Sequence, residues 1–329
     1  MAWLGTKIRL LDDIERHLPR FILSGEKFRY VEPFLGGGSV LFRFLYRSLV
    51  EKIFSANEFF AFDSNGDLLI LYTTLKKNPE KLLKYLVTMQ DTFNCLSGSK
   101  RKLYYYQVRA RFNEYRRSKD LPALTQTPLF DIPTSLIDSA RFLFLTETGY
   151  GRRIEYSTKG DMCIAFNKMD YTILNKPLKF RYSVLRKCSE LLSKTNLGFS
   201  DFEGASEYLG DSDKKTFCYL DPPYVQVEKR LSVIRYGLKT FGIEDQERLA
   251  AFMHLFSKPN KRTWLMMSNA AHNDAEEVIS RIFSGFFLSK IMVDRKIGSI
   301  GQKTGELSTR VPEYLVTSYP ITNNLKSLF

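Results

Sequence analysis

The sequence predicts an α/β fold: a doubly wound, mostly parallel sheet interrupted by an inserted, mainly helical domain. Three observations predict it. Short apolar runs alternate with helical patterns at both ends of the chain, the rhythm of β-α-β units. The stretch from about residue 67 to 177 lacks that rhythm and carries polar breaks such as LPALTQTPLFDIPTS. Glycines and prolines follow directly on apolar runs, where a parallel sheet turns its carboxyl edge toward a ligand.

Taken in order, residues 28–33 (FRYVEP) read as a short strand, followed by a glycine turn and the apolar run 40–49. Residues 59–63 (FFAFD) read as the next strand. A helix over 65–77 is closed by Asn78-Pro79, because the residue before a proline is pushed out of the helical region. After residue 190 the predicted strands are 217–220 (FCYL), 263–267 (TWLMM), 286–293 and 314–317, with a helix over Ile243–Phe256. Residues 1–66 and 178–329 thus form one domain and 67–177 the insert.

Composition narrows the function. With 44% hydrophobic and 14% aromatic residues, the 329-residue chain can bury a core and is not disordered. No run approaches the roughly 18 apolar residues that cross a bilayer. The opening residues carry charges every few positions, unlike a secretory signal. Cys95, Cys163, Cys188 and Cys218 form no CxxC pair, and only His17, His254 and His272 could complete a metal site. A disulfide framework and a structural zinc are therefore not expected, and the chain reads as a reduced, cytoplasmic protein. The balance of 49 basic against 36 acidic residues, a formal net charge of +13, favours a polyanionic partner.

The charge is concentrated. Between Lys100 and Lys119 eight basic residues face Glu114 alone. Within KLYYYQVRARFNEYRR, Tyr105, Val108, Phe112 and Tyr115 recur at helical spacing, so the other face would present Arg109, Arg116 and Arg117 as a stripe. With Arg111 they are candidate phosphate contacts, each adding affinity through counterion release.

Three segments carry chemistry. The first, YVEPFLGGGSV (30–40), is a strand, a proline and three glycines opening into a helix, and glycine lets the backbone approach a ligand closely. No Gly-Lys-Ser/Thr follows, so this is not a phosphate loop. Asp63, ending the following strand, is placed to accept hydrogen bonds from ribose hydroxyls. The second is Asp221-Pro222-Pro223-Tyr224, directly after FCYL. Its prolines end the strand and fix a rigid loop, bringing an acid, a carbonyl and an aromatic ring into one small volume. An exocyclic amine on a base needs that set: two acceptors and a ring to stack on. The third is Trp3-Leu4-Gly5-Thr6-Lys7, where an indole and an ammonium flank a glycine turn. Ser268-Asn269, closing the MMS strand, reads as the cap of the next helix, the alternative being support of the target pocket.

The ordered set WLGTK, VEPFLGGGS, AFDSNGD, YYYQVRARFNEY, SDF, DPPY and MSN resembles the Dam-type (α group) family of DNA adenine-N6 methyltransferases, from Trp3 to about Tyr319. DPPY and the glycine motif occur in many amino-methyltransferases. Their order is what is specific: cofactor half, recognition insert, catalytic half. The resemblance implies the S-adenosylmethionine-dependent methyltransferase fold, an insert that reads a DNA target, and double-stranded DNA as partner, with no metal, membrane or obligate protein partner. It further implies S-adenosylmethionine contacts from Trp3, Lys7, Pro33, Phe34, Gly36, Gly38 and Asp63, with Asp201-Phe202 at the cofactor's adenine ring. Asp221 would lie beside the methyl donor and accept from the target amine. The Pro222 carbonyl would take the other amine hydrogen, Pro223 would stiffen the loop, and Tyr224 would stack on the adenine.

The same resemblance assigns a base-contacting hairpin to Gly149-Tyr150-Gly151-Arg152-Arg153, followed by Phe166-Asn167, and a mobile basic loop to Arg295, Lys296, Ser299 and Arg310. Glu155 stands where some family members that read GATC carry arginine. Glutamate accepts from cytosine N4 but cannot make arginine's bidentate bond to guanine, so GATC is not carried over. An adenine inside a duplex must be flipped out to react. Direct attack on a sulfonium methyl then needs no covalent enzyme intermediate, and none of the cysteines follows a proline as a cytosine-C5 enzyme would require. The alternatives are a cytosine-N4 or RNA adenine methyltransferase, or a DNA-binding module without turnover.

Overall fold

The computed structural model describes residues 7–119, 129–152, 154–210, 213–224, 241–271, 274–296 and 308–321. Helices α1 (Leu11–Arg16) and α2 (Arg20–Leu23) precede strand β1 (Phe28–Glu32). Then come α3 (Ser39–Leu49), β2 (Ala56–Asp63), α4 (Gly66–Lys77), α5 (Pro79–Cys95), α6 (Gly98–Ser118), α7 (Leu136–Thr148) and α8 (Tyr182–Leu192). The chain returns through β3 (Thr195–Phe199), β4 (Thr216–Leu220), α9 (Ile243–Phe256), β5 (Thr263–Ala270), α10 (Asp274–Ile282), β6 (Phe287–Lys296) and β7 (Ser308–Thr317).

The strands form one sheet in the order β3-β2-β1-β4-β5-β7-β6. Pairing is parallel from β3 to β5 and antiparallel from β5 through β7 to β6. Every residue of β1 and β4 is buried, as expected of parallel strands covered on both faces. Alternate side chains supply two separate cores. Tyr30, Phe217, Tyr219 and Met266 face the layer of α3, where Tyr30 and Phe217 stack on Phe44 at 4.5 and 5.4 Å. Val31, Cys218, Leu220, Leu265 and Met267 face the opposite layer with Leu249, Met253 and Ile279 of α9 and α10.

The predicted helix over Ile243–Phe256 is present at those bounds. Helix α4 begins where Asn65 accepts hydrogen bonds from the amides of Asp67 and Leu68, an N-cap. From Asp67 to Leu75 α4 is buried on all sides, between β2 and β3, α8 and α7. The core on the α3 side of the sheet therefore continues into the helical middle of the chain without a break.

Two strand readings need correction. Strand β3 was not anticipated, because Asn196 and Gly198 weaken the β signal of its five residues. Strands β6 and β7 extend beyond the predicted runs, pairing as far as Lys296 opposite Ser308. Arg295, Lys296 and Arg310, expected in a loop, thus lie on paired strands, and Ser299 lies outside the described residues. An antiparallel ribbon needs only backbone pairing, so it tolerates the polar residues that end the apolar pattern. No described helix is long and apolar enough to cross a membrane.

Candidate active site

Sheet order lines the functional loops along one edge. The carboxyl ends of β3, β2, β1, β4 and β5, with the turns that follow them, carry in that sequence Asp201-Phe202, Asp63, the glycines, Asp221 and the Ser268-Asn269 pair, Asp63 and Ser268-Asn269 still within their strands. Strand order reverses at β1, which pairs with β2 on one side and β4 on the other, the position where open α/β sheets hold ligands.

The glycine turn is built by its neighbours. Gly36 and Gly38 have φ of 46° and 66°, in the left-handed region that glycine adopts without strain. A Cβ on Gly38 would also meet the Phe42 ring at 3.0 Å and the Tyr72 hydroxyl at 3.2 Å. From below, Asp63 Oδ2 accepts from the Gly36 amide at 2.7 Å and Oδ1 from the Asn65 amide at 2.8 Å. Burial pushes the Asp63 carboxyl up to about 6 despite these backbone donors. Glu32, which sequence reading missed, lies wholly buried in β1 and accepts from Tyr30 at 2.6 Å. Burial, with Asp221 and Asp63 nearby, holds its carboxyl well above the usual range. Its signal was present: one acid inside an apolar strand.

The Asp221 carboxylate collects partners from distant segments. Its Oδ1 is 2.7 Å from Lys7 Nζ and accepts from Ser268 Oγ at 3.2 Å. The Lys7 amide in turn donates to Ser39 Oγ, which fastens that segment to the glycine turn. Lys7 Nζ also donates to the Tyr224 hydroxyl at 2.9 Å, and Tyr224 donates to Glu313 Oε2 at 2.7 Å. Burial depresses the Lys7 ammonium, but Asp221, Tyr219 and Glu313 outweigh it and hold the group above its ordinary value. Burial lifts the Asp221 carboxyl, against the opposing pull of Lys7. Behind the loop, Gln246 Nε2 donates to the Pro223 carbonyl at 3.0 Å and its Oε1 accepts from Asn269 at 3.1 Å. The Pro222 carbonyl has no such partner among the described residues.

Ser268 and Asn269 are therefore not helix caps. Both are buried within β5, Ser268 against Asp221 and Asn269 bracing the proline loop through Gln246. Glu313 and Gln246 went unread because nothing local marks them; strand pairing and α9 bring them in.

Asp201 caps the turn over Phe202–Tyr208, accepting from the Phe202 amide at 2.8 Å. Its other oxygen pairs with Arg248 at 3.0 Å, and Arg248 also reaches Glu203 and Asp245. The Phe34 and Phe202 rings stack at 5.6 Å, joining the loops after β1 and β3. Pro33 continues β1 into the turn, and Trp3 lies outside the described residues.

The expected arginine stripe on α6 is corrected in part. Arg116 turns inward, its side chain 15% exposed, with Nε 2.6 Å from Asp67 and its guanidinium over the Tyr156 ring. Arg109 lies over Tyr106 and donates to the carbonyls of Cys163 and Ile164. Arg117 is 56% exposed and pairs with Asp161, and Arg111 is exposed. Tyr105 and Asn113 also bond to the 162–164 backbone, so α6 is the support for the expected hairpin. That excursion is present as paired positions Gly149–Phe166 and Tyr156–Met162. Gly149 is required there, since a Cβ would sit 2.5 Å from Ile164. Tyr150 is 52% exposed, Arg152 is exposed beside Glu147, and Glu155 is half-buried. Asn167 bonds in both directions with Asp170, just before and within the turn Met169–Ile173. Arg153 lies outside the described residues, and Arg310 is exposed on β7.

Residues 3–296 match the family model described as D12 class N6 adenine-specific DNA methyltransferase. Over 319 residues the chain is 30% identical to the Type II methyltransferase M.MjaIII of Methanocaldococcus jannaschii, covering 97% of this chain and 98% of that one. It is 26% identical to the Type II methyltransferase M1.LlaDCHI of Lactococcus lactis, over 96% of this chain and 94% of the relative. With the DNA adenine methylase of Escherichia coli it shares 28% over 254 residues, 76% and 73% of the two chains.

Proposed function

The chain belongs to the D12 class N6 adenine-specific DNA methyltransferase family and is an adenine-specific DNA methyltransferase, and we propose how its residues divide the work. S-adenosylmethionine is the methyl donor and a flipped adenine in duplex DNA the acceptor. The observation that carries this reading is the convergence of Asp221, Lys7, Ser268 and Tyr224 beside the glycine turn.

The residues at the turn fit the donor. Gly36 and Gly38 leave the backbone open to close approach, and Asp63 offers a buried carboxylate for ribose hydroxyls. Phe34, Asp201 and Phe202 offer an aromatic wall with a hydrogen-bond acceptor for the adenine ring, with Lys7 and Pro33 beside it, while Trp3, outside the described residues, is a further contact on the family resemblance alone. Bound there, the cofactor supplies a methyl group on a sulfonium, open to direct attack by the target nitrogen.

An adenine N6 lone pair is conjugated into the ring and poorly nucleophilic. Lys7 and Ser268 hold Asp221 Oδ1, which leaves Oδ2 to accept one amine hydrogen while the Pro222 carbonyl accepts the other. These acceptors orient the nitrogen and stabilise the positive charge that develops on it. The raised Asp221 carboxyl suits it to receive the proton that the methylated amine releases. Tyr224 stacks on the flipped base, whose extraction from the duplex costs a few kcal/mol.

In this reading residues 1–66 and 178–329 are the catalytic unit, and 67–177 read the DNA target. The exposed Arg111, Arg117, Tyr150 and Arg152 support that division, with Arg310 contributing from the β6–β7 ribbon. The protein works in the cytoplasm, as a stand-alone methylase or within a restriction–modification pair. Transfer of labelled methyl from S-adenosylmethionine to unmethylated duplex DNA, with mapping of the product, tests the proposal. N6-methyladenine within one short motif is expected. N4-methylcytosine, transfer only to RNA, or no transfer would each overturn it.

A further inference from the structure

We infer that Glu313 is a positioning residue for methyl transfer, its buried carboxylate fixing the Tyr224 hydroxyl and hence the plane of the ring that receives the target base. The inference rests on the stacking role proposed for Tyr224 and adds the group that makes it effective.

Glu313 sits on β7 opposite Ala270 of β5 and Ile291 of β6, and is 3% exposed. A carboxylate is costly to bury without partners, so its presence at a buried position of β7 calls for a use. Its oxygen accepts from Tyr224 at 2.7 Å, while Lys7 donates to the same hydroxyl at 2.9 Å. The hydroxyl is thus acceptor to a cation and donor to an anion at once. The two prolines before Tyr224 restrict the backbone but leave the side-chain torsions free to turn. Anchors on two sides of the phenol oxygen, one from the N-terminal segment and one from β7, remove that freedom. A phenylalanine could stack equally well but would have nothing to hold it. Ring placement matters because a misplacement of about 1 Å can lower a rate about 100-fold.

Glu313→Ala, Glu313→Gln, Tyr224→Phe and the double variant Glu313→Ala/Tyr224→Phe test the inference in the full-length enzyme. Single-turnover methylation of duplex DNA containing the mapped site is measured, alongside S-adenosylmethionine affinity. Emission from 2-aminopurine at the target position reports how the flipped base is stacked. Glu313→Ala and Tyr224→Phe should each slow methyl transfer about 10- to 100-fold and brighten the 2-aminopurine signal, with cofactor affinity unchanged. The double variant should be no slower than either single variant. Glu313→Gln keeps an acceptor for the hydroxyl and should restore the rate to within about threefold.

A Glu313→Gln as slow as the alanine variant would mean that the charge, not the hydrogen bond, matters, and would overturn the inference. Tyr224→Phe at the wild-type rate would overturn it too, even if Glu313→Ala failed to fold. Tyr224→Ala separates the two levels: at wild-type rate it sinks the stacking role itself. A slow Tyr224→Ala beside a fast Tyr224→Phe leaves stacking standing and removes only Glu313.

Discussion

Two parts of the molecule use the same three groups for different ends. At the sheet edge, Asp221 pairs with Lys7, accepts from a serine hydroxyl, and has the Lys7 ammonium 4.6 Å from the Tyr224 ring. Where α4 meets α6, Asp67 pairs with Arg116, accepts from the Tyr156 hydroxyl at 2.8 Å, and has the guanidinium 4.2 Å from that ring. The difference is closure. The Asp67 side chain is 3% exposed, whereas that of Asp221 is 21% exposed and stands next to the Pro222 carbonyl, which has no partner among the described residues. A buried acid, a cation and an aromatic ring are thus no signature of chemistry in themselves. They become a site where an oxygen remains addressable from outside, and a strut where it does not.

Breaking the open arrangement should have the largest effect on turnover. Asp221→Ala is expected to lower the methyl-transfer rate by about 10³-fold or more, by removing an acceptor aimed at developing charge. The fold should survive, because Lys7 keeps its bond to Tyr224. Single-turnover methylation beside a thermal melt checks both halves. A folded, cofactor-binding variant at wild-type rate would show that the open carboxylate is not the catalytic one.

Breaking the closed arrangement should act on stability instead. Arg116→Ala leaves the buried Asp67 without its cation and should cost about 3 kcal/mol in denaturant unfolding. The rate per folded molecule should stay within about threefold. Arg111→Ala, on the exposed side of the same helix, is the counterpart: stability within about 0.5 kcal/mol and a salt dependence of DNA binding reduced by about one unit of slope. If Arg116→Ala weakened DNA binding while leaving stability alone, the inward strut would be the wrong description.

This contrast also marks what the sequence made legible. The β1 and β4 strands and the two motifs that follow them could be read because apolar run, turn and chemical group are adjacent in the chain. The direction of Arg116 could not, since Asp67 and Tyr156 meet it only after α4 and α6 pack together. Glu313, Gln246 and Ser268 were missed or misassigned for the same reason. Their relation to Asp221 exists only once β7 pairs with β5 and α9 covers them. Periodicity found the cores of β6 and β7 but not their ends, where backbone pairing continues without apolar side chains. Charge density pointed to α6, yet charge density alone does not say which of its arginines face out.

A third carboxylate sharpens the comparison from the other side, because among the described residues Asp63 has only backbone amides for donors. Burial outweighs those amides and lifts its carboxyl from 3.8 to about 6. A carboxyl raised in the folded state makes its full contribution to stability below its unfolded value. That contribution is lost as pH rises toward about 6. Cofactor affinity should run the opposite way. Above about 6 the ionised group can accept from ribose hydroxyls and still hold the glycine turn. Below it, a proton occupies one of those acceptors. S-adenosylmethionine affinity is therefore expected to fall with pH below about 6, by at most about tenfold per pH unit for a single proton. Calorimetric titration between pH 5 and 8 measures the slope, and Asp63→Asn should flatten it while binding more weakly at pH 8. A flat wild-type profile would mean that Asp63 serves only the turn, a closed carboxylate like Asp67 despite its place at the open edge.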